Sequence, residues 1–179
     1  MAFIVLVACG GDARPTSSPH TEGSVARPAA PTREERCRDA ARACGAALIA
    51  GDNDKIIDCM PAEALAFVGG RDKVMAELAS GMAGMAKEGW AIEHADLDSP
   101  KEIVAAGAHL FAIVPQKVTL KNPTGHVAQR GYLLGVSSDG TSWKFIDGVG
   151  LTPANVKAMY PDFPASIVLP ERVKPEVVP

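Results

Sequence analysis

The chain has no strong charge of either sign, no long apolar run, no paired metal-binding motif and no motif that fixes a reaction. Its 179 residues carry 18 Lys+Arg against 21 Asp+Glu, a net charge of -3, and no cationic run longer than the mixed stretch Arg33 to Arg38. That leaves no electrostatic footprint for nucleic acid, so duplex binding is not expected. The longest apolar run, Ala2 to Ala8, would span only about 10 Å as a helix against a hydrocarbon core of ~30 Å, too little to cross a membrane. No Cys-x-x-Cys pair occurs, no His lies near a cysteine in sequence, and His94, His109 and His126 show no His-x-x-x-His or Glu-x-x-His spacing. A metal site is therefore disfavoured and no cofactor is expected. The length is too short for two ordinary domains but leaves room for one domain and a tail.

What is present begins with an address. The run Ala2 to Ala8 has the size of a short signal-peptide core and stops at Cys9. Leu6-Val7-Ala8-Cys9 resembles the bacterial lipobox, in which the cysteine thiol carries a diacylglycerol. The resemblance implies cleavage before Cys9 and membrane anchoring through several acyl chains, since each buried methylene contributes about 0.8 kcal/mol. An incidental thiol in a disordered end is the other reading of Cys9. From Gly10 to Pro31 the composition turns to Pro, Ser, Thr, Ala and Gly, with Val25 the only sizeable apolar residue. Such a segment builds no core and reads as a tether. The layout is then residues 1–9 signal peptide, 10–31 linker, 32–160 folded domain and 161–179 a Pro-punctuated tail lying over the surface without regular structure. The expected location is the bacterial cell envelope, lipid-anchored, with the outer membrane preferred because Gly10, not Asp, follows the cysteine.

Helix signals begin at Thr32, where Pro31 precedes a capping box, Thr32 to Glu35. Cys37, Ala40, Ala41, Cys44, Ala47 and Leu48 follow at the spacing of one buried stripe, and Gly51 closes the helix. Asp52 caps a short second helix carrying Ile56, Ile57, Cys59 and Met60, which Pro61 interrupts. A third, about Arg71 to Lys87, places Val74, Leu78, Met82 and Met85 on one face, loosened by Gly81 and Gly84. From Trp90 onward the pattern changes to alternation and turn residues. Strands are expected near Trp90–Leu97, Ala108–Leu120, Val127–Ser137 and Trp143–Val149, with hairpin turns at Asn122–Gly125 and Ser138–Thr141. A short helix is expected from Pro153 to Met159. Helices first and strands afterwards predict an α+β domain, N-terminal helices packed on an antiparallel sheet.

Cys37 and Cys44 sit seven residues apart on one helix, about 10 Å, beyond the roughly 7 Å reach of a disulfide. Cys44 and Cys59 lie equally far on either side of the Gly51-Asp52 turn. A bond between them would close a loop of about 15 residues and contribute about 3 kcal/mol. Three buried thiols is the alternative arrangement, and both stay open on the sequence.

The stretches Ala46 to Ile57, with its Ala-x-x-x-Gly-Asp junction, and Phe67-Val68-Gly69-Gly70-Arg71-Asp72-Lys73-Val74, followed by strands ending Trp143-Lys144-Phe145-Ile146-Asp147-Gly148, resemble the NTF2-like superfamily, which includes ketosteroid isomerases and SnoaL-like proteins. The similarity covers about Thr32 to Leu151. It implies a strongly curved antiparallel sheet wrapped on helices into a cone with one pocket. Ketosteroid isomerases place a catalytic tyrosine on the first helix, which here has no aromatic residue, so that pattern does not transfer and no catalytic residue is assigned.

One constellation remains. If Trp143 pairs opposite Val136, then Phe145 falls opposite Leu134 and Asp147 opposite Tyr132, and Trp143, Tyr132 and Asp147 share one sheet face, with His109 able to join them. A one-residue slip would separate Asp147 from Tyr132. In the first register a desolvated carboxylate beside a phenol would be tuned toward proton abstraction; a Tyr-Asp hydrogen bond that only satisfies two polar groups is the structural alternative. Asp147 before Gly148 is also a turn-capping arrangement. The function expected is an exported, membrane-anchored, non-catalytic domain that binds a small apolar ligand or another envelope protein, with a homodimer as a further assembly. The alternative is a SnoaL-like isomerase, dehydratase or hydrolase.

Overall fold

Thr32 starts the first helix as the residue types require. Its Oγ1 accepts from the Glu35 amide at 3.2 Å while the Glu35 carboxylate accepts from the Thr32 amide at 2.8 Å, satisfying two of the helix's orphan donors. The computed structural model describes residues 29–178, so the lipid attachment expected at Cys9 and the linker through residue 28 lie outside the described residues. Helix α1 (Arg33–Ala50) ends at Gly51 in the left-handed conformation, φ 66°, where a side chain would be strained. Asp52 then caps α2 (Asn53–Asp58) by accepting from the Lys55 amide. Two further helices follow, α3 (Ala62–Val68) and α4 (Arg71–Lys87).

The second half is a six-stranded antiparallel sheet, curved and unclosed: β1 (Ala91–Leu97), β2 (Ile103–Ala106), β3 (His109–Asn122), β4 (Gly125–Ser137), β5 (Lys144–Asp147) and β6 (Glu176–Val178). The long β3 carries β2 along its first residues and β1 along its last, and pairs over its other edge with β4. Asn122 pairs with Gly125, making a two-residue turn at Pro123-Thr124. Asn122 Oδ1 accepts there from the Thr124 amide and hydroxyl. Helix α5 (Pro153–Met159), capped by Thr152, follows the last long strands. The domain is α+β, with helices ahead of the sheet.

Both faces of this sheet are buried, which divides the core in two. On one face Ala112, Val114, Phe145 and Trp143 pack under α1 residues Cys37 and Ala41. On the other, Phe111, Leu134, Val136 and Ile146 pack against Val156 and Tyr160 of the α5 region and against Phe163 and Ile167. The tail expected to lie on the surface after residue 160 therefore differs in fact. Phe163 and Ile167 are 5% and 8% exposed, and Glu176–Val178 pair with His126–Ala128 of β4. Five prolines follow Tyr160 and forbid long regular structure, but they do not stop single apolar side chains from covering a sheet face.

Candidate functional site

The register between β4 and β5 decides which polar groups meet. Lys144, not Trp143, lies opposite Val136, Phe145 opposite Gly135, and Asp147 opposite Leu133. This is a one-residue slip from the sequence expectation, and since side chains alternate across a strand it moves Asp147 and Tyr132 to opposite faces. The physical reason is Gly135. A Cβ there would stand 3.2 Å from the Phe145 ring, 3.4 Å from the Trp143 ring and 3.5 Å from Cys37 Sγ, so the glycine leaves the space into which the rings fit. A leucine opposite Phe145 would have displaced them.

The expected quartet is thereby broken up. Tyr132 is buried on the α5 side of the sheet, with Gly148 pressed on its ring. Burial first, and the Asp147 charge second, hold its phenol above the ordinary value. His109 is on that same face, its ring 5.2 Å from Tyr160 and 5.9 Å from Phe111. Tyr160 donates to a Glu63 carboxylate oxygen at 3.3 Å, and burial pushes its own phenol well up. Trp143 is buried under α1 in the other core, its indole Nε1 without an acceptor among the described residues. Asp147 is exposed and accepts from the Val149 amide at 2.7 Å, the turn-capping geometry that an Asp-Gly pair favours.

Ser137 and Asp139 are likewise turn residues. Ser137 Oγ accepts from the Asp139 and Gly140 amides, while Asp139 accepts from the Thr141 and Ser142 amides. The Ser142 amide foremost, then Thr141 and the Ser137 hydroxyl, hold the Asp139 carboxyl well below the usual range.

A cavity of about 510 Å³ opens on the α1 face of the sheet, within the roughly 300–1,000 Å³ of small-molecule sites. Its walls come from α1, α2, α4 and strands β1, β3, β4 and β5. The unusual wall is α4. Val74, Leu78, Met82 and Met85 recur on one side of that helix, as its spacing predicts, yet only Val74 is fully buried. Packed against α2 and α3, the helix stands away from the sheet, and its apolar stripe faces the cavity instead of closing onto strand residues. Met is unbranched and adaptable, suited to lining a space of variable content. Gly81 continues the stripe, and a Cβ added there would meet nothing within 4 Å.

The opposite wall is clamped by a disulfide. Cys44 of α1 and Cys59 after α2 are bonded across a Cα–Cα distance of 6.0 Å, and both line the cavity. Cys37 remains a buried thiol, pushed up to about 12 chiefly by burial and further by the Glu34 charge, and is inert packing. Of the four residues expected to share a pocket, Asp147 alone lines this one; Leu48, Ile56 and the α4 methionines are among the apolar residues that line it instead. The individual signals were in the sequence as helix stripes, but nothing local says that a stripe will face space.

Comparison with models of known protein families gives no match, and comparison with curated proteins gives none either. No described helix is long and apolar enough to cross a membrane.

Proposed function

We propose that the folded unit is a non-catalytic binding module for a small apolar ligand, of NTF2-like type and carried on a lipid anchor at Cys9. The observation that carries the binding reading is the helix α4, whose leucine and methionines border about 510 Å³ of open space. Leaving apolar surface uncovered forfeits roughly 25 cal/mol for each Å², and a ligand that fills the space recovers part of it. Element order and the Gly51-Asp52 junction support the family reading; the lipobox-like Leu6-Val7-Ala8-Cys9 supports the anchor. A SnoaL-like enzyme needs polar groups converging in the cavity, and Tyr132 and His109 sit on the other side of the sheet.

N-phenylnaphthylamine, which brightens in apolar surroundings, is expected to bind the folded domain. Gly81→Leu should abolish that binding, because the new side chain extends the α4 stripe into open space. It should also leave the melting temperature unchanged or raised, since leucine replaces glycine inside a helix, worth up to about 1 kcal/mol. Undiminished dye binding in this variant would remove the cavity as the site. For the anchor, intact mass of the mature protein should show a chain beginning at Cys9 with a diacylglyceryl addition on the thiol. An unmodified chain that retains the residues before Cys9 would end that reading.

A further inference from the structure

The cavity is apolar but not neutral at its polar points. Three polar side chains line it, Glu77 from α4, Gln116 from β3 and Asp147 from the end of β5, and no Lys, Arg or His does so among the described residues. Glu77 has one ion-pair partner among them, Lys73 at 3.8 Å on the same exposed helix surface, a pair of little strength. Asp147 engages one carboxylate oxygen with the Val149 amide and makes no described ion pair, leaving the second oxygen available. Several carboxylates elsewhere on the surface are answered closely by cations. Asp54 and Asp58 share Arg71 at 2.8 and 2.7 Å, and Glu93 faces Lys121 and His126. The two carboxylates of the cavity have no cation that close among the described residues, and they are the acidic groups that border this apolar space.

We propose that the cavity selects apolar molecules bearing a cationic head, such as a primary amine, over those bearing a carboxylate. The inference rests on the ligand-binding reading above and adds its chemical class. The alkyl body would lie along Leu48, Leu78, Met82 and Met85, while the ammonium would find Asp147 or Glu77 and the Gln116 amide oxygen. Ammonium donates three hydrogen bonds and complements acceptors only. A fatty-acid carboxylate would meet two like charges and, among the described lining residues, no cation.

Displacement of N-phenylnaphthylamine by dodecylamine, dodecanol and dodecanoate separates the cases. With the amine and the carboxylate held below their micelle concentrations and the alcohol below its solubility limit, the amine is expected to compete about tenfold more tightly than the carboxylate, the alcohol falling between. In the double variant Glu77→Gln/Asp147→Asn, where the amide oxygen introduced by the second substitution can still accept from the Val149 amide, the amine-to-carboxylate ratio should fall close to one. Equal competition by all three in the native protein overturns the charge selection and leaves the apolar site standing. A ratio that persists in the double variant assigns it to the protein's net charge and overturns the proposal as well. Absence of any dye binding overturns both readings together.

Discussion

Replacing Cys44 and Cys59 together by alanine is expected to lower the melting temperature by roughly 6–12 °C. The disulfide closes a 15-residue separation, for which loop-closure entropy in the unfolded chain gives about 3 kcal/mol. In a domain of this size each kcal/mol moves the midpoint by about 2–4 °C. The folded state gives a second reason for a loss. The Phe145 amide donates to the Cys59 carbonyl at 2.7 Å and Lys144 Nζ to the Asp58 carbonyl, so the end of α2 is already fastened to β5. The disulfide carries that attachment over to α1. Without it α1 is held to the sheet by the Cys37–Ala41 core and by Gly45, where a Cβ would stand 2.8 Å from a Leu97 methyl. Thermal melts with and without a thiol reductant check the effect: reductant should shift the native protein to the midpoint of the double variant and leave the variant itself unmoved. Dye binding should weaken in parallel, because both cysteines line the cavity. A native midpoint indifferent to reductant, with the bond shown to be reduced, would contradict the assignment of stability to this crosslink.

Local chemistry made much of this fold legible beforehand, and non-local geometry accounts for what was not. The capping box at Thr32, the left-handed Gly51, the Asp52 cap and the Pro123-Thr124 turn are each decided within a few residues, and the structure has each where the residue types place it. Helix α3 is hidden in the sequence because seven residues hold barely two turns, and Pro61, which ends one helical pattern, precedes the next in an extended conformation. Strand β2 has only four residues, Ile103–Ala106, and exists because β3 is long enough to pair with two strands end to end. The β4–β5 slip depended on where ring volume finds a glycine, a property of three residues from separate segments, Gly135, Phe145 and Trp143. For the same reason the candidate site was only partly legible. Asp147 was recognisable as a suspicious carboxylate and as a turn cap, but its companions were chosen by a register that alternation alone leaves undetermined.

Phe111→Ala is expected to cost about 3–5 kcal/mol while leaving the cavity's ligand affinity unchanged at temperatures well below the midpoint. Phe111 is fully buried on the sheet face away from the cavity, and its ring lies edge-on to Tyr160 at 5.4 Å and to Phe163 at 5.1 Å. Such aromatic pairs contribute about 0.5–1.5 kcal/mol beyond the area they bury. The residue is thus one of the points, beside the pairing of β6 with β4, at which the C-terminal segment is attached to the sheet. Removing the ring deprives Tyr160 and Phe163 of a common partner and leaves a void that Val156 and Leu134, both fully buried, can only partly close. The double-mutant cycle with Phe163→Ala tests this directly by chemical denaturation. The two losses should be less than additive, by about the energy of one aromatic pair, because either substitution alone already removes their shared contact. Strict additivity would mean that the segment after Tyr160 does not engage Phe111 in solution. A fall in dye affinity for Phe111→Ala, measured where the variant is fully folded, would mean that the two faces of the sheet are coupled and not independent cores.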